Sequence, residues 1–218
     1  NGRVTRRVSG IADARLFARY TLIQNDVQGS TFRVAPFWGV ELPTGDDDER
    51  DRLGQLPAPL QLGSGSWDPF GGIVLTYQTL DYQIDSQASY KRNTRANRFQ
   101  FGDEVRLDVS FQYRLWPQSL EDLRVPGYVY GVLETNVVHQ GKNEAAGAHD
   151  PNSGGTSLSL SPGIQYVTKR WIVEGVVQDT VAIAHRAGCP TGGDRLALRR
   201  PADLPVRWES ARRSVVRG

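Results

Sequence analysis

Apolar and polar residues alternate singly along much of the chain. From 104 to 115 the odd positions are Val105, Leu107, Val109, Phe111, Tyr113 and Leu115, and the even ones are Glu104, Arg106, Asp108, Ser110, Gln112 and Arg114. A period of two is that of a β-strand with two unlike faces. The segment 13–22 repeats it, with Ala14, Leu16, Ala18, Tyr20 and Leu22 opposite Asp13, Arg15, Phe17, Arg19 and Thr21. In 32–42, Phe32, Val34, Trp38, Val40 and Leu42 oppose Arg33, Ala35, Phe37, Gly39 and Glu41. Further strands are expected at 70–79, 81–90, 127–138, 156–167 and 170–183, eight in all, and no segment has helical periodicity of comparable strength.

Most of these runs are longer than the usual soluble strand and reach the roughly 9 to 11 residues that a tilted membrane-spanning strand needs. Connector lengths separate the architectures further. They run short (24–29), long (43–69), tight (near Leu80), long (91–102), medium (116–126), long (139–155) and short (168–169), the parity of a barrel with turns at one rim and loops at the other. Tyr20, Tyr77, Tyr82, Tyr113, Trp116, Tyr128, Tyr166 and Trp171 fall near strand ends that meet short or medium connectors, where they would form one interfacial girdle. The expected fold is therefore all-β, an antiparallel up-and-down transmembrane β-barrel with at least eight strands, incomplete as it stands. A soluble ligand-binding barrel or sandwich is the alternative, because the same alternation serves if the apolar faces turn inward.

Composition narrows this little. With 39 % hydrophobic and 23 % charged residues the chain is ordinary globular material, which excludes collagen, coiled coil and outright disorder. No run reaches the roughly 18 apolar residues of a membrane helix. The chain begins at Asn1 and has no Met, so it reads as a fragment whose start lies elsewhere. Its single cysteine, Cys189, forms no internal disulfide or cysteine metal cluster. Of 26 basic and 24 acidic residues, 185–218 holds eight arginines against three acids, so the basic excess belongs to the tail and the body carries 18 against 21. The body offers no stripe of basic and aromatic residues on one face, and nucleic acid is not an expected partner.

Candidate function lies on the polar faces. Arg15, Arg19, Arg33, Glu41, Arg106, Asp108, Arg114, Glu134, Asn136, Glu174 and Gln178 would line the lumen, either paired across it or along a solute path. In the first long loop, Asp46, Asp47, Asp48, Glu49 and Asp51 are numerous enough for a hard cation but lack calcium-loop spacing, so a solvated loop tip and no metal are expected. Ser64 and Ser66 lie among glycines without the GK pair of a phosphate loop. An outer-membrane hydrolase at the rim is the rival from another class, with His139 beside Ser157 or Ser159; His149 and His185 are the remaining histidines. No cofactor is implied.

Two groups of residues bracket the first long loop: Pro43, Thr44 and Gly45, and Trp67, Asp68 and Pro69. Glycine supplies turn conformations and proline ends a ladder, so their expected work is to stop strands. The stretch Gly39-Val-Glu-Leu-Pro-Thr-Gly45, then Leu62-Gly-Ser-Gly-Ser-Trp-Asp-Pro69, then Ser153-Gly-Gly155 followed by Leu160-Ser-Pro-Gly-Ile-Gln-Tyr166, resembles a bacterial outer-membrane family. That family is named for the meta-pathway of phenol degradation and is also called simply transporter. The resemblance covers roughly residues 8–184 and rests on the order and spacing of the pieces as a set. It implies an outer-membrane barrel, in contact with outer-membrane lipid, that passes small, often aromatic or hydrophobic solutes without catalysis. It names neither the solute nor the oligomeric state.

The resemblance stops at 184, so the chain divides into a barrel region, 1–184, and a basic tail, 185–218. Pro190, Pro201 and Pro205 break any ladder there, and the mixture of Arg, Ala, Gly and Pro is what GC-rich codons give in the wrong frame. The tail is expected to be irregular, through a frameshift near Ala184. A one-base shift in the coding DNA should then restore an amphipathic strand. A genuine basic extension is the alternative.

Overall fold

The computed structural model describes residues 9–51, 53–119, 127–184 and 207–209. Strands dominate it, all antiparallel. They are β1 (Ala14–Arg19), β2 (Ile23–Val27), β3 (Ser30–Leu42), β4 (Asp68–Thr79), β5 (Tyr82–Lys91), β6 (Glu104–Trp116), β7 (Gly127–Gln140), β8 (Gly155–Thr168), β9 (Ile172–Val176), β10 (Asp179–Ala184) and β11 (Arg207–Glu209). Among the described residues they form one sheet in the order β1-β3-β4-β5-β6-β7-β8-β9-β11, with β2 also on β3 and β10 also on β8. Each long strand thus pairs with its neighbours in sequence, an up-and-down meander of eight successive positions. No pairing joins β1 or β2 to β9 or β10 among the described residues.

Two strand regions are interrupted, the expected 13–22 ending at Arg19 before a further strand begins and the expected 170–183 dividing in two, and a proline sits opposite each break. The first runs as β1 and β2, because Arg19 pairs with Phe37 while Ile23 pairs with Val34, leaving three residues facing two. Pro36 lies there, and its carbonyl accepts from Tyr20 N–H at 3.1 Å. In an antiparallel strand N–H and C=O of one residue point to the same neighbour, so the donor that proline lacks is missing from this ladder and a bulge absorbs the gap. The last runs as β9 and β10, interrupted where Val177 N–H donates to the carbonyl of Pro162 at 3.1 Å. Segment 24–29, expected as a connector, is mostly strand: β2 pairs through Val27, and Gln28-Gly29 alone make the turn, with Gly29 at φ +84°.

Short connectors gather at one rim. Thr79 closes the turn between β4 and β5, its hydroxyl accepting from Asp81 and Tyr82 N–H at 3.2 and 3.0 Å. Thr168 does the same between β8 and β9 for Arg170 and Trp171, at 3.3 and 3.0 Å. The long connectors leave the opposite rim. Two of them meet in a small sheet of Phe99–Gln100, Glu144–Ala145 and Ala148–His149. The tail, expected to be irregular, departs from that at β11, which adds three register pairs to β9. An edge strand offers unpaired N–H and C=O groups to any extended backbone, whatever its side chains. The rest of 185–218 lies outside the described residues, and so does 120–126 of the medium connector.

Candidate functional site

Register converts the alternation into rows that cross the sheet. Gln24, Arg33, Thr76, Asp85, Ser110, Glu134 and Ser161 are successive cross-strand partners from β2 to β8, all polar. One step along each strand, Phe32, Tyr77, Ile84, Phe111, Leu133 and Pro162 form a row on the other face. From β4 to β8 burial is inverted between them, with Thr76, Asp85, Ser110 and Glu134 half-buried, while Gln24 and Arg33 toward the β2 margin are exposed. The five large apolar residues of the second row expose between 36 % and 46 % of their surface, whereas Ser161 in the first exposes 2 %. Buried residues include Glu41, Asp68, Asn93, Arg114, Ser159 and Ser161, against Val34, Ala35, Leu56 and Val132 as the buried apolar set.

The residues expected in the lumen occur as separate clusters on this polar face. Glu41 is gripped by Arg15 and by Lys91, whose Nζ lies 3.1 Å from Oε1. Arg106 Nε donates to both oxygens of Asp108 at 3.0 and 2.8 Å, and Asn136 Nδ2 donates to the same carboxylate at 2.7 Å. Arg114 is buried and donates to Asp81 at 2.5 Å, near the short-connector rim. Gln165 donates to Glu174 at 3.0 Å, and Arg33 lies 3.8 Å from Asp26. Glu134 stands in the central polar row beside Ser110, whose hydroxyl is buried without a hydrogen-bond partner. Arg19 is exposed on edge strand β1, and Gln178 is exposed between β9 and β10, so neither joins a cluster.

Phe17, Phe37 and Phe70 share the polar face with these charges. Their rows are Phe17, Gly39, Phe70, Lys91 and Glu104, then Arg19, Phe37, Gly72, Ser89 and Arg106. The Phe37 and Phe70 ring centroids are 6.5 Å apart, and both rings lie where a Cβ on Gly72 or Gly39 would be. The aromatics at the short-connector rim group as expected in part: Tyr77 lies 6.0 Å from Tyr82, Tyr82 pairs with Tyr113, and Tyr166 lies 5.4 Å from Trp171. Tyr128 departs from that girdle, because even positions of β7 carry the polar face and its ring meets Tyr130 at 6.4 Å. A second exposed set, Trp38, Trp67 and Tyr90, lies toward the long connectors.

At that rim the loop residues do more than stop strands. Asp13, just before β1, accepts from Gly45 N–H at 2.9 Å on one oxygen and from Ser64 N–H and Oγ at 2.7 and 2.8 Å on the other, so one carboxylate clasps both ends of the 45–64 loop. The two ends also touch, since a Cβ on Gly63 would collide with the Gly45 carbonyl. Burial pushes the Asp13 carboxyl up, but these bonds outweigh it and hold it below its ordinary value. The stabilisation is therefore present above the ordinary carboxyl pKa and is lost as pH falls through the lowered one. Thr44 Oγ1 accepts from Ala14 N–H at 2.8 Å. Asp68, fully buried, accepts from Thr94 N–H at 2.7 Å and Ser66 Oγ at 3.1 Å. Pro69 continues β4 rather than ending it, its carbonyl accepting from Arg92 N–H at 3.0 Å. A proline is tolerated this close to a strand's start.

Under the loop is a cavity of about 390 Å³ between residues 58–64 and wall residues Asp13, Arg15, Glu41, Lys91, Glu104 and Gln140. A second, of about 310 Å³, lies on the loop's other side toward Asn97, Arg98 and Phe99. The loop acids hold no cation cluster among the described residues; Asp47 instead accepts from Asn97 Nδ2 at 2.7 Å. His139 belongs to the outward row Tyr90, Val105, His139 and Thr156 and meets Thr156 Oγ1 at 2.8 Å. Ser157 and Ser159 point to the other face, so the histidine–serine pairing that the rival hydrolase reading needs is not formed. His149 lies 3.5 Å from Glu144, and His185 is outside the described residues. Among the described residues no helix is long and apolar enough to cross a membrane, which says nothing of strands. No protein-family model and no curated protein matches the chain.

Proposed function

We propose that this chain forms the wall of a bacterial outer-membrane β-barrel through which small aromatic or hydrophobic compounds pass passively, with no cofactor and no covalent chemistry. What carries the proposal is the inverted burial of the two faces. In water a sheet with exposed Leu107, Phe111, Tyr113 and Leu115 and buried Arg114 and Ser161 would bury the wrong side. In a bilayer the apolar face meets acyl chains and the polar face lines the lumen. Dimensions fit as well. Val105 to Leu115 is ten steps of about 3.4 Å, and at a tilt of about 40° this spans about 26 Å along the normal, against an apolar band about 25 Å tall. The Phe17, Phe37 and Phe70 patch gives apolar solutes a surface inside a lumen that is otherwise mostly polar. Closure requires the β1–β2 edge to find a partner at the opposite margin, which β10 and β11 form.

Membrane fractionation with gel mobility before and after boiling tests the barrel, and solute flux in liposomes tests the channel. The expected outcome is an outer-membrane species whose mobility shifts on heating and which passes small aromatic acids. A monodisperse, detergent-free monomer would overturn it in favour of a soluble barrel. Within the lumen the two central arginines differ. Arg106→Ala removes a half-exposed charge and should change ion selectivity at unaltered barrel yield. Arg114→Ala empties a buried site paired with Asp81 and should lower the yield of assembled barrel itself. Reversed outcomes in the two variants would refute this assignment.

A further inference from the structure

We propose that Asp13 is the latch that sets the size limit of the pore, by holding residues 58–64 of the first long loop across its mouth as a partition. This rests on the channel reading. Ala58, Gln61, Gly63, Ser64 and Phe101 line both cavities, so this segment with Phe101 is what separates the inner space over the wall from the outer space under the second and third loops. Inside the loop, Gln61 ties its own span together through Glu49 N–H at 2.9 Å and the Leu56 carbonyl at 2.9 Å. Leu62 and Gly63 N–H donate to the Asp46 carbonyl at 3.2 and 3.0 Å. The loop is thus a flap braced within itself and against the second long loop through Asp47 and Asn97, and its neck is joined to the wall where Gly45 and Ser64 converge on Asp13.

A latch of this kind differs from a general stabiliser, because removing it should change what passes and leave the barrel standing. Asp13 precedes β1 and stands outside the ladder, and β1 keeps its register with β3 through backbone bonds that Asp13 does not make. Its three acceptor contacts span 32 to 51 residues in sequence, so releasing them frees the flap at both ends of its neck. Gly63→Val reaches the same contact from the loop side, since a side chain there collides with the Gly45 carbonyl.

The test uses single-channel conductance and swelling of liposomes in sugars of increasing size, with heat-modifiable mobility as the measure of assembly. Asp13→Ala should raise conductance on the order of twofold or more and admit larger sugars at wild-type assembly. Asp13→Asn, which keeps one acceptor oxygen, should fall between. Gly63→Val should open the pore in the same direction, and it decides the matter if Asp13→Ala does not assemble. A variant with Gly45 joined directly to Gly63 separates the two failures. If that deletion opens the pore while Asp13→Ala and Gly63→Val conduct as wild type, the latch is wrong and the channel stands. If the assembled deletion passes nothing, the channel reading fails and the latch with it.

Discussion

A lysine at position 111 should prevent stable assembly in membranes, while a lysine at position 110 should leave it near wild type. Phe111 lies in the outward apolar row between Ile84 and Leu133, and 41 % of its surface is exposed. A lysine near the midplane of a lipid-facing strand costs about 2 to 4 kcal/mol. Ser110 is one residue away and on the other face, with Asp85 and Glu134 as its cross-strand partners. In the proposed barrel an ammonium there meets two carboxylates and water. The measurement is the folded fraction of each variant in a urea titration after reconstitution into lipid. Equal tolerance at the two positions would remove the basis for placing either face in a bilayer.

Asp68→Ala should be the most damaging single change at the loop rim. The carboxylate is fully buried and satisfies Thr94 N–H and Ser66 Oγ, so it ties the start of β4 to the connector after β5. A hydrogen bond to a charged group contributes about 1.5 to 3 kcal/mol, which puts the loss of both at about 3 to 6 kcal/mol. Asp68→Asn retains an oxygen for the Thr94 N–H and should lose about half as much. Thr94→Val removes only the hydroxyl's contacts with the Trp67 carbonyl at 3.0 Å and with Asp68 at 3.4 Å and should lose least. Urea midpoints in that order are the expected result, and a wild-type midpoint for Asp68→Ala would refute it.

How much of this was legible before the structure varies with the kind of residue. The strict alternation at 104–115 places β6 within a residue, because a strand with one lipid-like face leaves its period in the side chains. β2 left no such trace, since Gln24, Asn25 and Asp26 are polar on both faces and only backbone pairing makes them a strand. The clusters on the polar face follow from register, which no single strand states. Arg106, Asp108 and Asn136 meet because β6 and β7 pair with a particular offset. Phe37 was legible as a member of the polar face, but its contact with Phe70 depends on the β3–β4 offset. Asp13 and Asp68 were hardest, because Gly45, Ser64 and Thr94 lie 26 to 51 residues from the carboxylate each meets and nothing in local spacing marks an acceptor hub.

The two prolines have a consequence for the chain while it is in water. Strands inside the sheet run from 10 to 14 residues, but each is covered on both sides. At the margins, opposite Pro36 and Pro162, the runs are 6 and 5 residues in β1 and β2, and 5 and 6 in β9 and β10. In water one molecule therefore offers another no long straight template for cross-chain pairing at either margin, only short pieces broken by a bulge or a gap. Such interruptions are how β-proteins avoid joining edge to edge into aggregates. Replacing Pro36 and Pro162 by β-branched residues would straighten both margins, lengthening the ladder and, in the same step, making the unfolded traffic of this chain more prone to clump.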